Sequence, residues 1–101
     1  METKAVIASL AALAQESRLG VFRLLVQAGP EGMAASRIAE AMAIPPSSLS
    51  FHLKELSHAG LIAPKREGRS IIYSANFAAM DGLVGFLTEN CCGGVPCGTR
   101  C

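Results

Sequence analysis

Two consecutive prolines, Pro45 and Pro46, divide the middle of the chain into two helical segments. Proline has no backbone N–H to donate and restricts the residue before it to extended conformations, so no helix runs through this pair. Residues 35–42 before the prolines place apolar side chains at helical spacing, and residues 47–60 after them do so with three leucines. The prolines therefore predict two short helices that meet at a tight break.

Two β-prone stretches follow these helices. Residues 61–65 and 70–74 are strand-like, and the second stretch contains an Ile-Ile-Tyr run. The turn at 66–69 carries a glycine where a hairpin needs a positive φ angle. Two short helices followed by a hairpin is the order of the winged helix-turn-helix.

Three further helices are predicted outside this region, at 5–14, 18–28 and 76–90. Ser17 is the expected N-cap of the second of these helices, and the arginines of that helix are expected in solvent. The predicted fold class is mainly α (α+β), a winged helix-turn-helix of about five helices with a two-stranded β-hairpin wing. Residues 1–90 form the predicted globular domain, and residues 91–101 a separate tail without periodicity.

The first apolar run, residues 5–14, resembles the core of a signal peptide. Glu2 beside Lys4 leaves that segment with little positive charge, and Val6, Leu10 and Leu13 follow the spacing of one helix face. We therefore interpret it as a packed helix and expect a cytoplasmic protein with reduced thiols. No apolar run approaches the roughly 20 residues that span a bilayer, so no membrane partner is expected.

The composition favours an oligomer over a monomer. Half of the 101 residues are hydrophobic and only 17% are charged, and small domains bury only about 60% of their surface. The last predicted helix is apolar over most of its circumference, with Phe77, Met80, Val84 and Leu87 on one face. It is either a core helix or part of a dimer interface that it shares with the first helix.

Side chains suited to nucleic acid cluster in the helix after the prolines and in the wing. Residues 46–75 hold four basic and two acidic side chains, an excess of +2, whereas residues 1–45 hold four of each. Small or donor-bearing side chains suit phosphates and base edges. The candidate DNA-binding residues are Ser47, Ser48, Ser50, Phe51, His52, Lys54, Lys65, Arg66 and Arg69. Individually, each serine can be a plain cap, His52 a structural histidine and the wing cations a solvated turn.

The sequence resembles the ArsR/SmtB family of metalloregulators over roughly residues 5–90. The segment SFHLKEL at 50–56 matches the S-x-H-L-x-x-L core of that family, and AGL at 59–61 and the wing REGR at 66–69 follow it. The resemblance implies a homodimer closed by the first and last helices, with operator DNA held by the helix after the prolines and by the wing. It implies a transcriptional regulator. The rival, a small thiol enzyme, needs a cysteine beside a base or a helix N-terminus, whereas Cys91 and Cys92 follow the predicted C-terminus of the last helix, so neither an enzyme nor a catalytic cofactor is expected.

Two familiar sensor sites of that family are missing from this chain. The cysteines on the third helix of arsenic repressors correspond here to Ala34, Ser36 and Ala39. The last helix has Asp81 and Glu89 but none of the histidines found in zinc sensors. Some family members instead have a Cys-Cys pair at the end of the last helix and a further cysteine beyond, as this sequence does.

All four cysteines lie in the last eleven residues, at Cys91, Cys92, Cys97 and Cys101. A disulfide-stapled fold distributes its cysteines along the chain, so this arrangement indicates a local site instead. Thiolates select soft ions, and trivalent arsenic takes three of them in a pyramid. We expect arsenite to bind Cys91, Cys92 and Cys97, with Cys101 as a spare ligand, and to release a repressor from an arsenic-resistance operator. The alternatives are another soft ion (antimonite, methylarsenite, zinc or cadmium), a thiol redox switch, and a winged-helix module that senses nothing.

Overall fold

The structure, a computed structural model, describes residues 1–94 of the chain. It contains five helices, three strands and a final 3-10 turn in this range. The helices are α1 (Thr3–Leu13), α2 (Glu16–Ala28), α3 (Ala35–Met42), α4 (Pro46–His58) and α5 (Phe77–Leu87). The strands are β1 (Met33–Ala34), β2 (Ile62–Glu67) and β3 (Ser70–Ala75), and the 3-10 turn is Cys91–Gly94. The predicted winged helix-turn-helix is confirmed.

The core lies where α2, α3 and α4 meet the base of the hairpin. Leu49, Leu53 and Leu56, the three leucines predicted to face inward from α4, are at most 3% exposed. They pack with Leu25 of α2 and Ile38 of α3, both fully buried. Because α4 buries this face in the core, the opposite face of the helix points into solvent.

The break between α3 and α4 begins two residues before Pro45. Ala43 ends α3 in the left-handed region, at φ 54° and ψ 43°. The backbone N–H of Ile44 then donates to the carbonyl of Ala39, at 3.1 Å, which closes the helix end. Pro46 is the first residue of α4, a position where its missing N–H costs no helical hydrogen bond.

Strand β1 is the element that the sequence did not predict. Met33 pairs with Tyr73 and Ala34 with Ile72, so the sheet has three antiparallel strands in the order β1-β3-β2. Gly32 precedes β1 at φ 73°, and a Cβ atom at that position would meet the carbonyl oxygen of Tyr73. A two-residue strand has no alternation to detect, which is why only the hairpin was visible in the sequence.

The first two helices differ from prediction in their faces and caps. α1 buries Val6, Ser9 and Ala12, whereas Leu10, predicted to face inward, is 42% exposed. The N-cap of α2 is Gln15, not Ser17, because the Gln15 side chain accepts a hydrogen bond from the backbone N–H of Arg18 at 2.8 Å. Because the cap lies two residues earlier, α2 begins at Glu16 instead of Arg18.

The last helix is shorter than predicted. α5 begins after Asn76, whose side chain accepts from the N–H of Ala79, and it ends at Leu87 instead of continuing to residue 90. The Thr88 hydroxyl donates to the carbonyl of Val84 at 2.8 Å, and Asn90 adopts a left-handed φ of 57°. The 3-10 turn that follows is therefore a separate feature from α5.

No single helix in residues 1–94 is long and apolar enough to cross a membrane. Helices α1 and α2 reach that length only as a pair, and they meet at a bend of 104°.

Candidate nucleic-acid interface and cysteine pair

One face of α4 presents four predicted DNA-binding residues together. Ser47, Ser50, Phe51 and Lys54 have the spacing i, i+3, i+4 and i+7, and all four are exposed. Three of them are polar, and the fourth, Phe51, is 56% exposed. A helix of this width with small side chains at its N-terminal end fits a major groove. Ser48, also exposed, lies beside this face.

His52 differs from its neighbours because it is half-buried. Its Nδ1 atom lies 3.4 Å from Nη1 of Arg18 on α2, and its ring meets the ring of Phe51 edge to face at 5.9 Å between centroids. Arg18 was predicted to face solvent, and this is wrong. The side chain is half-buried, and its Nε donates to the carbonyl of Ala12 at 2.7 Å.

The wing carries the other three predicted residues. Lys65 and Arg66 lie on β2 opposite Ile72 and Ile71 of β3, and Arg69 lies in the turn before β3. All three cations are exposed. Lys65 has an ion pair with Glu67 on its own strand at 3.9 Å, and such an exposed pair holds the lysine only weakly. The wing cations therefore remain available for phosphate contacts.

The start of α3 adds residues that the sequence argument missed. Ser36 lines a surface cavity with Arg69 and Ser70 of the wing, and Arg37 lines a second cavity with Glu67. Both come close to the wing because β1 pairs with β3 immediately before α3 begins. Nothing in the sequence marks this proximity, since it depends on a strand of two residues.

The described cysteines form an adjacent pair just beyond α5. Cys91 is half-buried, Cys92 is exposed, and their Sγ atoms lie 4.0 Å apart. A tetrahedral ion with bonds of 2.3 Å separates two sulfur ligands by about 3.8 Å, so this spacing fits two ligands of one ion. Cys92 has a left-handed φ of 55°, which few residues other than glycine adopt.

Both of these cysteines are disulfide-bonded in the structure. This differs from the reduced thiols that were expected from the sequence. Cys97 and Cys101 lie outside the described residues. Within residues 1–94, no three His, Cys, Asp or Glu side chains come together as a metal site.

Comparisons with known proteins agree with the fold. A family model described as a helix-turn-helix domain matches residues 13–64, from the end of α1 to the start of β2. No curated protein sequence matches the chain.

Solved structures of two bacterial proteins are similar over most of this chain. An ArsR-like transcriptional regulator from Rhodococcus sp. RHA1 is 26% identical, with a TM-score of 0.75 over 85% of this chain and 78% of the other. NolR from Sinorhizobium fredii is 30% identical, with a TM-score of 0.67 over 85% of this chain and 83% of the other.

A third structure is the homodimeric winged helix-turn-helix DNA-binding domain of Mb0332 from Mycobacterium bovis, a possible ArsR-family regulator. It is 25% identical, with a TM-score of 0.68 over 95% of this chain and 89% of the other. Its fold and that of the Rhodococcus protein are the fold of DNA-binding transcriptional regulators, which are not enzymes. With its exposed α4 face and basic wing, this chain belongs to the helix-turn-helix family, in the winged form that ArsR-family transcriptional regulators share.

Proposed function

We propose that the protein is a homodimeric repressor of an arsenic-resistance operon that leaves its operator when trivalent arsenic binds the C-terminal thiolates. The observation that carries the proposal is the Cys91–Cys92 pair, which begins four residues after the end of α5. Its Sγ atoms lie 4.0 Å apart, a spacing that suits two ligands of one ion once both cysteines are reduced to thiolates. The arsenic ligands are Cys91, Cys92 and Cys97, with Cys101 as a spare, and the protein acts in the cytoplasm.

Apolar side chains on the outer faces of α1 and α5 support the homodimer. Ile7 and Leu10 are 60% and 42% exposed, and Val84 and Leu87 are 56% and 59% exposed. The two helices contact each other, so these four side chains lie on neighbouring elements of one protomer. An apolar surface of this kind is unusual on a monomer and is typical of an interface between subunits. The Mb0332 domain, with the same fold, is a homodimer.

Operator DNA is contacted by α4 and the wing in this proposal. The exposed serines and Lys54 of α4 approach base edges and phosphates in the major groove, and Lys65, Arg66 and Arg69 contact the backbone beside it. The half-sites of a dimeric operator lie about 34–36 Å apart, so both α4 helices must keep one separation to dock together.

Arsenic binding acts on that separation through α5. A trivalent arsenic ion that joins Cys91 and Cys92 to a third thiolate fixes the chain directly after α5. Because α5 belongs to the proposed dimer interface, a change at its end shifts the angle between protomers and the distance between the two α4 helices. Allosteric coupling of about 1–3 kcal/mol is usual, which corresponds to about 5–150-fold in operator affinity.

A thiol redox switch is the second candidate, and the disulfide-bonded state of Cys91 and Cys92 favours it. In that case oxidation, and not arsenic, changes the segment after α5. Both candidates use the same cysteines, so they are separated only by the reagent that releases the DNA.

The test is fluorescence anisotropy of the reduced protein on DNA from its own upstream region. Arsenite, zinc and a disulfide-forming oxidant are titrated separately. We expect arsenite to release the DNA at near-stoichiometric amounts and Cys91→Ser and Cys92→Ser to abolish that release. Glu89→Gln is the matched control, because it alters a polar side chain next to the site without removing a thiol.

Release by the oxidant alone would favour the redox switch. Release by zinc alone would assign the site to a different ion. DNA binding that none of the three reagents changes would refute the sensor and leave a winged-helix module with no ligand at these cysteines.

A further inference from the structure

Arg18 connects two parts of the molecule that have separate roles in the proposed function. Its side chain leaves α2 and reaches the end of α1, where Nε donates to the carbonyl of Ala12 at 2.7 Å. From the same guanidinium, Nη1 lies 3.4 Å from Nδ1 of His52 on α4. One planar group thus touches the last turn of a proposed dimerisation helix and the proposed DNA-reading helix.

The contact with Ala12 satisfies a backbone group that the helix cannot satisfy itself. The last four carbonyls of a helix have no partner within it, and Ala12 is among these in α1. A hydrogen bond from a charged donor is stronger than one between neutral groups. The guanidinium is therefore bound to the end of α1 by a charged hydrogen bond.

The contact with His52 bears on which ring nitrogen carries the proton. A guanidinium has five N–H donors and no acceptor, so Nδ1 of His52 must be the acceptor in this hydrogen bond. A ring that accepts at Nδ1 carries its proton on Nε2, and Nε2 is then left as a donor. A donor at that atom suits a phosphate oxygen or the acceptors N7 and O6 of guanine, whereas an acceptor there would suit neither.

We propose that Arg18 is a positioning residue that fixes the tautomer and orientation of His52 for DNA binding and links them to the position of α1. The DNA-binding part of this inference rests on the proposed function, and the tautomer part does not. Rotation of α1 within the dimer carries the Ala12 carbonyl and the guanidinium with it. Nδ1 of His52 then no longer accepts a hydrogen bond from Arg18, and the ring is no longer restricted to one tautomer. The affinity of α4 for DNA falls as a result.

The tautomer is measured without DNA, by long-range proton–nitrogen correlation spectra of histidine-labelled, reduced protein at a pH where both histidines are neutral. The chain has two histidines, and His58, exposed near the end of the same helix, is the internal reference. We expect His52 to show a single tautomer with its proton on Nε2, while His58 shows a mixture. In Arg18→Gln the His52 spectrum becomes similar to that of His58, and in Arg23→Gln, an exposed arginine on the same helix, it does not change.

Operator affinity provides the second readout, through a double-mutant cycle of Arg18→Gln and His52→Ala. Arg18→Gln is expected to weaken operator binding about tenfold, as for loss of one charged hydrogen bond. In the His52→Ala background the same substitution is expected to have almost no further effect. Arg18→Lys keeps the positive charge but has a single donor nitrogen in place of the Nε and Nη1 that make the two contacts. It is included as a variant that preserves the charge in case Arg18→Gln lowers stability.

Two results would overturn the inference. Identical His52 spectra in the wild type and in Arg18→Gln would show that the guanidinium does not select the tautomer. Additive losses in the cycle, with a folded Arg18→Lys protein, would show that Arg18 acts only on the structure of α1. If the wild type does not bind operator DNA at all, the proposed function fails, and the spectra still decide the tautomer.

Discussion

Replacing Gly32 by alanine tests whether the β1–β3 pairing holds the wing in place. Gly32 has a φ of 73°, and a Cβ atom there would collide with the Tyr73 carbonyl oxygen and lie 3.0 Å from the carbonyl carbon. The left-handed backbone alone costs an alanine about 1 kcal/mol. Forcing the strand to move adds about 1–3 kcal/mol, as for an overpacked core. We therefore expect Gly32→Ala to lower the free energy of unfolding by about 2–4 kcal/mol.

Gly60→Ala is the matched control for this substitution. Gly60 has a similar φ of 78°, but nothing lies within 4 Å of the Cβ position. Its expected loss is the backbone term alone, about 1 kcal/mol. Chemical denaturation of both variants, at equal protomer concentration, measures the difference. If Gly32→Ala loses no more stability than Gly60→Ala, the close approach of Gly32 to β3 is not a constraint, and the reasoning about β1 is refuted.

Four further predictions concern single side chains. Phe51→Ala should abolish the difference in affinity between operators that contain thymine and operators that contain uracil. The two bases differ only by a methyl group, which the exposed Phe51 ring can contact, and an unchanged difference would contradict this role. Leu56→Ala, at a fully buried position, should lower the free energy of unfolding by about 2–5 kcal/mol in urea titrations. Arg66→Gln should reduce the slope of log affinity against log salt by about one without changing stability. Leu87→Glu should dissociate the dimer, as measured by sedimentation velocity. Burial of each Leu87 contributes about 1.5–3 kcal/mol to association, and a two-fold interface contains this residue twice.

The central part of the fold could be predicted from the sequence because its signals are local. Pro45 and Pro46 prohibit a continuous helix, the leucines of α4 repeat at helical spacing, and Gly68 has the positive φ that the hairpin turn requires. The bounds of α3 at 35–42 are confirmed. Each of these features depends on residues that are neighbours in the chain.

The errors occur where tertiary contacts decide. Leu10 has the spacing of a core residue, yet Ser9 is buried in its place, because the packing of α1 on its neighbours and not its own pattern selects the inner face. Arg18 is a charged residue on an amphipathic helix, and only the positions of Ala12 and His52 make it a half-buried donor. The roles assigned to the cysteines stay predictions, since two of the four lie outside the described residues.

The pairing of Met33 with Tyr73 also bears on how chains with this fold can vary in length. It closes a loop that contains α3, α4, β2 and the wing turn, while the two paired residues fix where that loop begins and ends. The entropic cost of closing a loop rises only with the logarithm of its length, by about 0.6 kcal/mol for each doubling. Residues can therefore be added at the wing turn with little loss of stability, and the wing can lengthen or shorten over evolutionary time while its base stays beside α3.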